Sequence, residues 1–220
     1  MSDRKPKSPW PTKAAMEQIY DKNLWGGDKD EFYSGIGSHD PEILVPYIQT
    51  VGRFLTSFDT PLTVCDLGCG DFNVGRKLAP LAKNYIGVDI VADLIEHNQK
   101  TFANGNVSFQ SLDIAKGRLP SADCAMIRQV FQHLSNDEIK QVLPKLNNYK
   151  YVILTEHLPA ESFVPNADII SGQGIRLKKQ SGIDLLVPPF NLKIIEENQL
   201  LRLPEKNGTG IIVSVLYTMF

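Results

Sequence analysis

The stretch Val64-Cys65-Asp66-Leu67-Gly68-Cys69-Gly70-Asp71-Phe72-Asn73-Val74-Gly75 joins a short apolar run, through a glycine-containing turn, to the start of an amphipathic segment. Working outward, the chain from Pro61 alternates such runs with helix-length stretches, which is the pattern of a mostly parallel α/β sheet with helices on both faces. Strands are expected at Leu62 to Asp66, Asn84 to Val88, Val107 to Gln110, Cys124 to Arg128, Tyr151 to Leu154, Leu192 to Glu197 and Ile211 to Met219. Helices fit between them at Val74 to Ala82, Val91 to Phe102 and Asp137 to Leu146, the last introduced by Ser135 and Asn136 as cap candidates. The last two strands are joined by Leu203 to Gly210, where Pro204, Asn207-Gly208 and Gly210 favour a turn without a crossover helix. The final strand is therefore expected to run antiparallel.

Ahead of this core, residues 1–13 hold three prolines and several lysines and read as a flexible tail. Ala14 to Trp25 has a weak helical pattern ended by Gly26-Gly27, and Ser34-Gly35-Ile36-Gly37-Ser38 is too glycine-rich for a helix interior. Asp40-Pro41 is an N-cap followed by proline at the first helical position, opening a helix that runs to about Phe58. Residues 14–220 are thus one domain, with an N-terminal helical lid over 14–60 and an insertion at 159–189.

Across 220 residues, 23 Lys and Arg against 25 Asp and Glu leave a net charge of −2, which gives no general attraction to nucleic acid or to an anionic membrane. No apolar run approaches the roughly 20 residues that span a bilayer, and the polar start lacks the layout of an export signal, so a cytoplasmic protein is expected. The three cysteines, Cys65, Cys69 and Cys124, lie in or beside apolar runs without zinc spacing. They read as reduced, buried thiols, and no metal site is expected.

In an open α/β sheet, ligands sit outside the carboxyl ends of the strands, so the residues there are the most informative. Gly68 and Gly70 allow a tight turn and let a ligand approach the backbone. A dinucleotide site would want a third glycine where Asn73 stands, and Asp66 and Asp71 bracket the loop with negative charge that repels pyrophosphate. Such charge suits a ligand bearing an ammonium and a sulfonium, as S-adenosylmethionine does. Asp89 closes the second strand about 20 residues beyond the glycines, where an acid can accept both hydroxyls of a ribose. Asp113 can accept from the exocyclic amine of adenine, or cap the turn it begins, while Ile90 and Ile114 cover the ring faces. Asp71 is either a helix cap or a ligand contact.

Taken together, Val64 to Leu78, Tyr85 to Val91, Leu112-Asp113 and Arg128 to Leu134 resemble the class I S-adenosylmethionine-dependent methyltransferases. The resemblance implies a Rossmann-like, seven-stranded sheet whose last strand is antiparallel. It also implies that Asp66, Gly68 and Gly70 line the methionine part of the cofactor, Asp89 the ribose and Asp113 the adenine. A narrower similarity joins Trp25-Gly26, Ser34 to Ser38, Cys69-Gly70-Asp71-Phe72, Tyr85-Ile86-Gly87, His133-Leu134-Ser135 and Pro188-Pro189-Phe190 to a methyltransferase subgroup with an SGxGS and a DxGCGDF motif. It implies that Trp25 and Ser34 to Ser38 form a lid or collar.

The fourth strand ends at Arg128, which either contacts cofactor and acceptor, holding an acidic group bidentately, or satisfies backbone carbonyls. The following Gln129 to Leu134 lacks the Asn/Asp-Pro-Pro-aromatic tetrapeptide of nucleic-acid amino-methyltransferases, which argues against a nucleic-acid acceptor. His133 is a base or a structural hydrogen-bonder; His157 is a second candidate base, with Glu156 as a positioning acid. Adjacent strand residues point to opposite faces, so only one of Glu156 and His157 is expected to face the cleft. Ser38, Gln132, Asp168, Gln173 and Arg176 are the other acceptor-side candidates, the last three from the insertion. The reaction expected is in-line transfer of a methyl group to an oxygen or nitrogen of a small-molecule or glycan-related acceptor, giving S-adenosylhomocysteine. Two rival readings are a nicotinamide-dependent oxidoreductase and a methyltransferase-like binding protein without catalysis.

Overall fold

A computed structural model describes residues 10–28, 31–205 and 210–220. Three strands at the heart of the sheet, β1 (Thr63–Leu67), β4 (Cys124–Arg128) and β5 (Tyr151–Pro159), are flanked by β2 (Asn84–Asp89) and β3 (Val107–Ser111) on one side. The long strands β6 (Glu196–Pro204) and β7 (Gly210–Thr218) complete the other side, in the order β3-β2-β1-β4-β5-β7-β6. All pairs are parallel except those of β7, which runs antiparallel to both β5 and β6. The winding reverses between β1 and β4, so a crevice opens at their carboxyl ends.

Period-two alternation sorts the strand side chains onto two cores. Cys65, Leu67, Ala125, Ile127, Val152 and Leu154 face the layer made by α5 (Asn136–Leu146) and the insertion residues Ile183, Leu185 and Phe190. Val64, Met126 and Ile153 face the opposite way, against Leu44, Tyr47, Val51 and Leu55 of α2 (Pro41–Leu55). Those four residues form one helical stripe. The Asp40 carboxylate accepts from the Glu42 amide at 2.9 Å and Pro41 occupies the first turn, as the capping pattern predicts. Ser135 caps α5 by accepting from the Glu138 amide, leaving Asn136 as the first helical residue.

Several boundaries differ from the sequence expectation. The first helix, α1 (Thr12–Asp21), starts two residues inside the expected tail, because Met16 and Ile19 bury against Val91 and Leu94. Residues 1–9 lie outside the described residues, as do Asn207 and Gly208 of the expected turn. The helix expected at Val74 to Ala82 is only α3 (Gly75–Leu78) followed by a 3-10 turn containing Pro80, and Val91 to Phe102 becomes α4 (Ala92–Phe102). The sixth strand lies at 196–204 rather than 192–197. It is an edge strand whose first four residues are exposed, so it has no continuous apolar run, while Leu192 instead bonds back to Leu185 of the insertion. The three cysteines are buried and unbridged. Among the described residues, no helix is long and apolar enough to cross a membrane.

Ile153 is fully buried on a central strand, facing α2. Ile153→Ala is expected to lower stability by about 2–5 kcal/mol, read as a lower midpoint at unchanged slope in urea unfolding.

Candidate active site

Beyond β1 the chain turns through Gly68 and Gly70, both left-handed with φ of 85° and 55°. A Cβ at Gly68 would overlap the Val130 side chain, and one at Gly70 would overlap Ser34 Oγ. Glycine is therefore required twice, by backbone conformation and by close neighbours. The Gly70 amide donates to Asp89 Oδ2 at 3.2 Å, and the buried Asn98 amide donates to the Gly70 carbonyl at 2.7 Å. Asp89 Oδ1 also accepts from the Val91 amide at 3.1 Å, which fixes the carboxylate at the end of β2 yet leaves lone pairs for a ligand.

Asp66 is buried at the end of β1 and accepts from the Tyr85 hydroxyl at 2.7 Å. Burial pushes its carboxyl up to about 6, against the pull of Tyr85 and Arg128. Burial also raises Asp89, against its backbone hydrogen bonds. Two carboxyls held above their ordinary range in one cavity favour an incoming cation, which would restore their charged forms. Asp113, at the end of β3, accepts from the Ala115 amide at 3.0 Å and pairs with Lys116 at 3.0 Å while still lining the cavity. It caps its turn, and Ile90 and Ile114 line the same end.

Asp71 does not point a free carboxylate at the crevice. Its Oδ1 accepts from the Asn73 amide at 3.0 Å, and its Oδ2 takes the Ser34 amide at 2.7 Å and His39 Nε2 at 2.6 Å. In return the Asp71 amide donates to Ser34 Oγ at 2.7 Å, and Tyr20 reaches the same hydroxyl at 2.9 Å. The segment over the crevice is thus clasped to the glycine turn. Arg128 ties down its other end, donating to the Gly37 carbonyl and to Ser38 Oγ, with its guanidinium over the Tyr47 ring. Of the two roles open to Arg128, its hydrogen bonds here go to the Gly37 carbonyl and Ser38 hydroxyl of the collar and to Gln129 Oε1.

The two histidines differ. His133 is buried; its Nδ1 donates to the Gly172 carbonyl, its ring packs on Trp25, and its Nε2 accepts from the Gln132 amide at 3.3 Å. The carbonyl fixes the tautomer, since it can only accept. Burial pushes this imidazole down to about 4, so it is neutral at neutral pH. Gln132 completes the link by accepting from the His157 amide at 3.2 Å through Oε1. His157 lines the cavity, and its ring meets a carboxylate the sequence did not suggest, Glu205, with Nε2 to Oε1 at 3.1 Å.

Glu156 is turned away from the cavity, as strand alternation requires. Buried, it accepts the Phe131 and Gln132 amides, both at 3.0 Å, so it positions the turn that bears Gln132 and His133 rather than a histidine ring. Arg176 grips the same turn from the insertion, donating to the Phe131 and Leu134 carbonyls and to Asn136 Oδ1, each at 2.7 Å. Asp168 accepts from the Asn136 amide at 2.8 Å. Neither Arg176 nor Asp168 lines the cavity, because the insertion packs on the sheet through Ile183 and Leu185 and spends these polar groups on backbone. Gln173 does line it.

The cavity holds about 500 Å³ and runs from Asp113 and Ile114, past Gly68, Gly70 and Asp89, to Arg128, Gln132 and His157. Tyr20, Tyr47 and Lys178 also line it, although no motif in the sequence marks them as site residues. Tyr20 follows the buried stripe of α1, a signal for the core rather than for a site. Among the described residues no cluster of metal ligands occurs.

Residues 64–149 match the family described as a methyltransferase domain. No curated protein sequence matches the chain. Among solved structures it is similar to the N-methyltransferase NodS from Bradyrhizobium japonicum WM9 in complex with S-adenosylhomocysteine, at 14% identity and a TM-score of 0.63, covering 93% of this chain and 98% of that one. It is also similar to magnesium protoporphyrin IX methyltransferase from Synechocystis PCC 6803 with bound S-adenosylmethionine (18% identity, TM-score 0.53, 96% and 99% covered). A third similar structure is the [4+2]-cyclase SpnF (12%, 0.59, 97% and 99%).

Burial pushes the Glu156 carboxyl up to about 8, outweighing its two amide donors and Arg176. An unfolded glutamate titrates near about 4.3, so between those values the native state binds the extra proton and loses stability as pH rises. Glu156→Gln removes that loss. Its stability minus that of the parent is expected to climb between about pH 5 and 8 and level off above, in urea unfolding at stepped pH.

Proposed function

We propose that this chain is a class I S-adenosylmethionine-dependent methyltransferase that moves a methyl group to an oxygen or nitrogen of a small-molecule acceptor. One observation supports this above the others: a single cavity joins the glycine turn and the carboxyls Asp66, Asp89 and Asp113 to the polar rim at Arg128, Gln132 and His157. S-adenosylmethionine, when bound, supplies an electrophilic sulfonium methyl group. In this reading Asp66 and the bare backbone at Gly68 and Gly70 hold the ammonium end, Asp89 takes the ribose hydroxyls with its remaining lone pairs, and Asp113 accepts from the adenine amine between Ile90 and Ile114.

The acceptor then lies at the far end, against Arg128, Ser38, Gln132 and Gln173, with His157 as the base. The clasped collar excludes water and aligns the two reactants. Arg128 shapes that end by holding Gly37 and Ser38. A nicotinamide cofactor is disfavoured because the Asp71 carboxylate occupies the Asn73 amide, one of the donors a pyrophosphate at this helix start would use. The net charge of −2 argues against a nucleic-acid acceptor, and three unbridged, buried thiols suit the cytoplasm.

Asp89→Ala is expected to abolish binding of S-adenosylhomocysteine in isothermal calorimetry while the variant keeps the parent's circular dichroism. Affinity equal to the parent's would remove Asp89 from the ribose site.

A further inference from the structure

Two chain segments far apart in sequence meet at the acceptor end of the cavity. His157 comes from β5, and Glu205 directly follows β6, where its amide donates to the Gly210 carbonyl at 2.9 Å and so fixes the acid beside the start of β7. Both side chains line the cavity and are largely withdrawn from solvent, at 12% and 25% exposure, so this is not a solvated surface pair. Gly210 supplies the space: a Cβ there would overlap His157 Nε2 and crowd Glu205 Oε2. The imidazole N–H is within ion-pair reach of the carboxylate but not aimed along the line between them, a looseness usual for such pairs before substrate binds.

We infer that Glu205 is the positioning residue for His157 as general base, and that the acceptor's reacting group is a hydroxyl. The inference rests on the methyl-transfer reading above. A carboxylate at Nε2 selects the tautomer protonated there and leaves Nδ1, which has no hydrogen bond to the described residues, with its lone pair for the cavity. His133 offers no such site, since both of its ring nitrogens are engaged. Gln132 spans the two histidines, its amide nitrogen on the His133 ring and its oxygen on the His157 backbone amide, which keeps their roles apart.

The chemistry of the pair sets a hydroxyl acceptor apart from a carboxylate. A carboxylate acceptor is already deprotonated at neutral pH, needs no base, and would be repelled by Glu205. A hydroxyl keeps its proton and needs one. As the hydroxyl oxygen forms its bond to the methyl carbon, its proton passes to Nδ1 of His157. The electron pair of the breaking carbon–sulfur bond stays on sulfur, which loses its positive charge, and the imidazolium so formed is held by the Glu205 carboxylate until it releases its proton to water. General-base assistance of this kind is worth about 10²- to 10⁴-fold in rate.

The test uses full-length protein labelled with ¹⁵N-histidine, with the His157 resonances assigned by their loss in His157→Asn. At neutral pH the parent is expected to show His157 as the single tautomer protonated at Nε2. Glu205→Ala, and separately Gly210→Ala, which keeps the carboxylate but takes the space that ring and acid share, are expected to give averaged tautomers at His157 while His97 stays unchanged. A parent protonated at Nδ1, or a Glu205→Ala spectrum identical to the parent's at His157, would overturn the pairing. With S-adenosylhomocysteine present, phenol is expected to displace the Nδ1 resonance more than benzoate; a larger response to benzoate, or none to either, would overturn the hydroxyl assignment. Calorimetry of S-adenosylhomocysteine with the parent reports separately on the methyl-transfer reading.

Discussion

The backbone of Gly70 is the constraint on which the cavity depends. Its amide fixes Asp89, its carbonyl takes the buried Asn98 amide, and its missing side chain leaves the space that Ser34 Oγ fills. One residue later, Asp71 exchanges hydrogen bonds with Ser34 and receives His39. The turn that floors the cavity is therefore also the anchor of the cover. Any side chain at 70 would be strained by the left-handed backbone and would push off Ser34, so floor and cover fail together.

Electrostatics divides the four carboxyls of this rim by their partners. Asp71 is hydrogen-bonded by His39 and by the Ser34 and Asn73 amides, and Asp113 pairs with Lys116, so each is met by partners within the protein. At Asp66 and Asp89 the hydrogen bonds, and for Asp66 the pull of Arg128, are outweighed by burial, which raises both. A cation that enters lowers their pKa values again and is bound by the same free energy. The balance of charge over the whole chain hides this local excess, which is why net charge speaks to the acceptor class and not to the cofactor.

How much of this was legible in the sequence follows from the range of the interactions. Asp66, Gly68, Gly70 and Asp89 stand at the ends of strands whose apolar runs are local and clear, and sheet topology brings such ends together. The cap at Asp40 and Pro41 is local too. The roles of Glu156 and Arg176 were not legible: each is a polar residue near a rim, and only the folded chain reveals that both hold the backbone of one turn. Glu205 gave no signal, since its partner is on another strand and its own segment reads as an ordinary turn. The edge strand β6 leaves a faint mark in the sequence for a related reason, because a strand exposed on one side carries little apolar pattern.

The magnitudes rank the parts of the site. Holding two reactants at contact distance in the right orientation is worth about 7–11 kcal/mol. A base worth about 10²- to 10⁴-fold supplies roughly 3–5.5 kcal/mol at about 1.4 kcal/mol per factor of ten. The clasp from Asp71 to Ser34 and the brace from Arg128 to Gly37 and Ser38 therefore govern the larger share, although none of their atoms reacts. This accounts for the amount of polar contact spent on the cover. Of the hydrogen bonds around the cavity, those of Asp71, Arg128, Glu156 and Arg176 hold chain to chain, and the proposed reaction asks for one ring nitrogen only, that of His157, because the smaller term needs only one group.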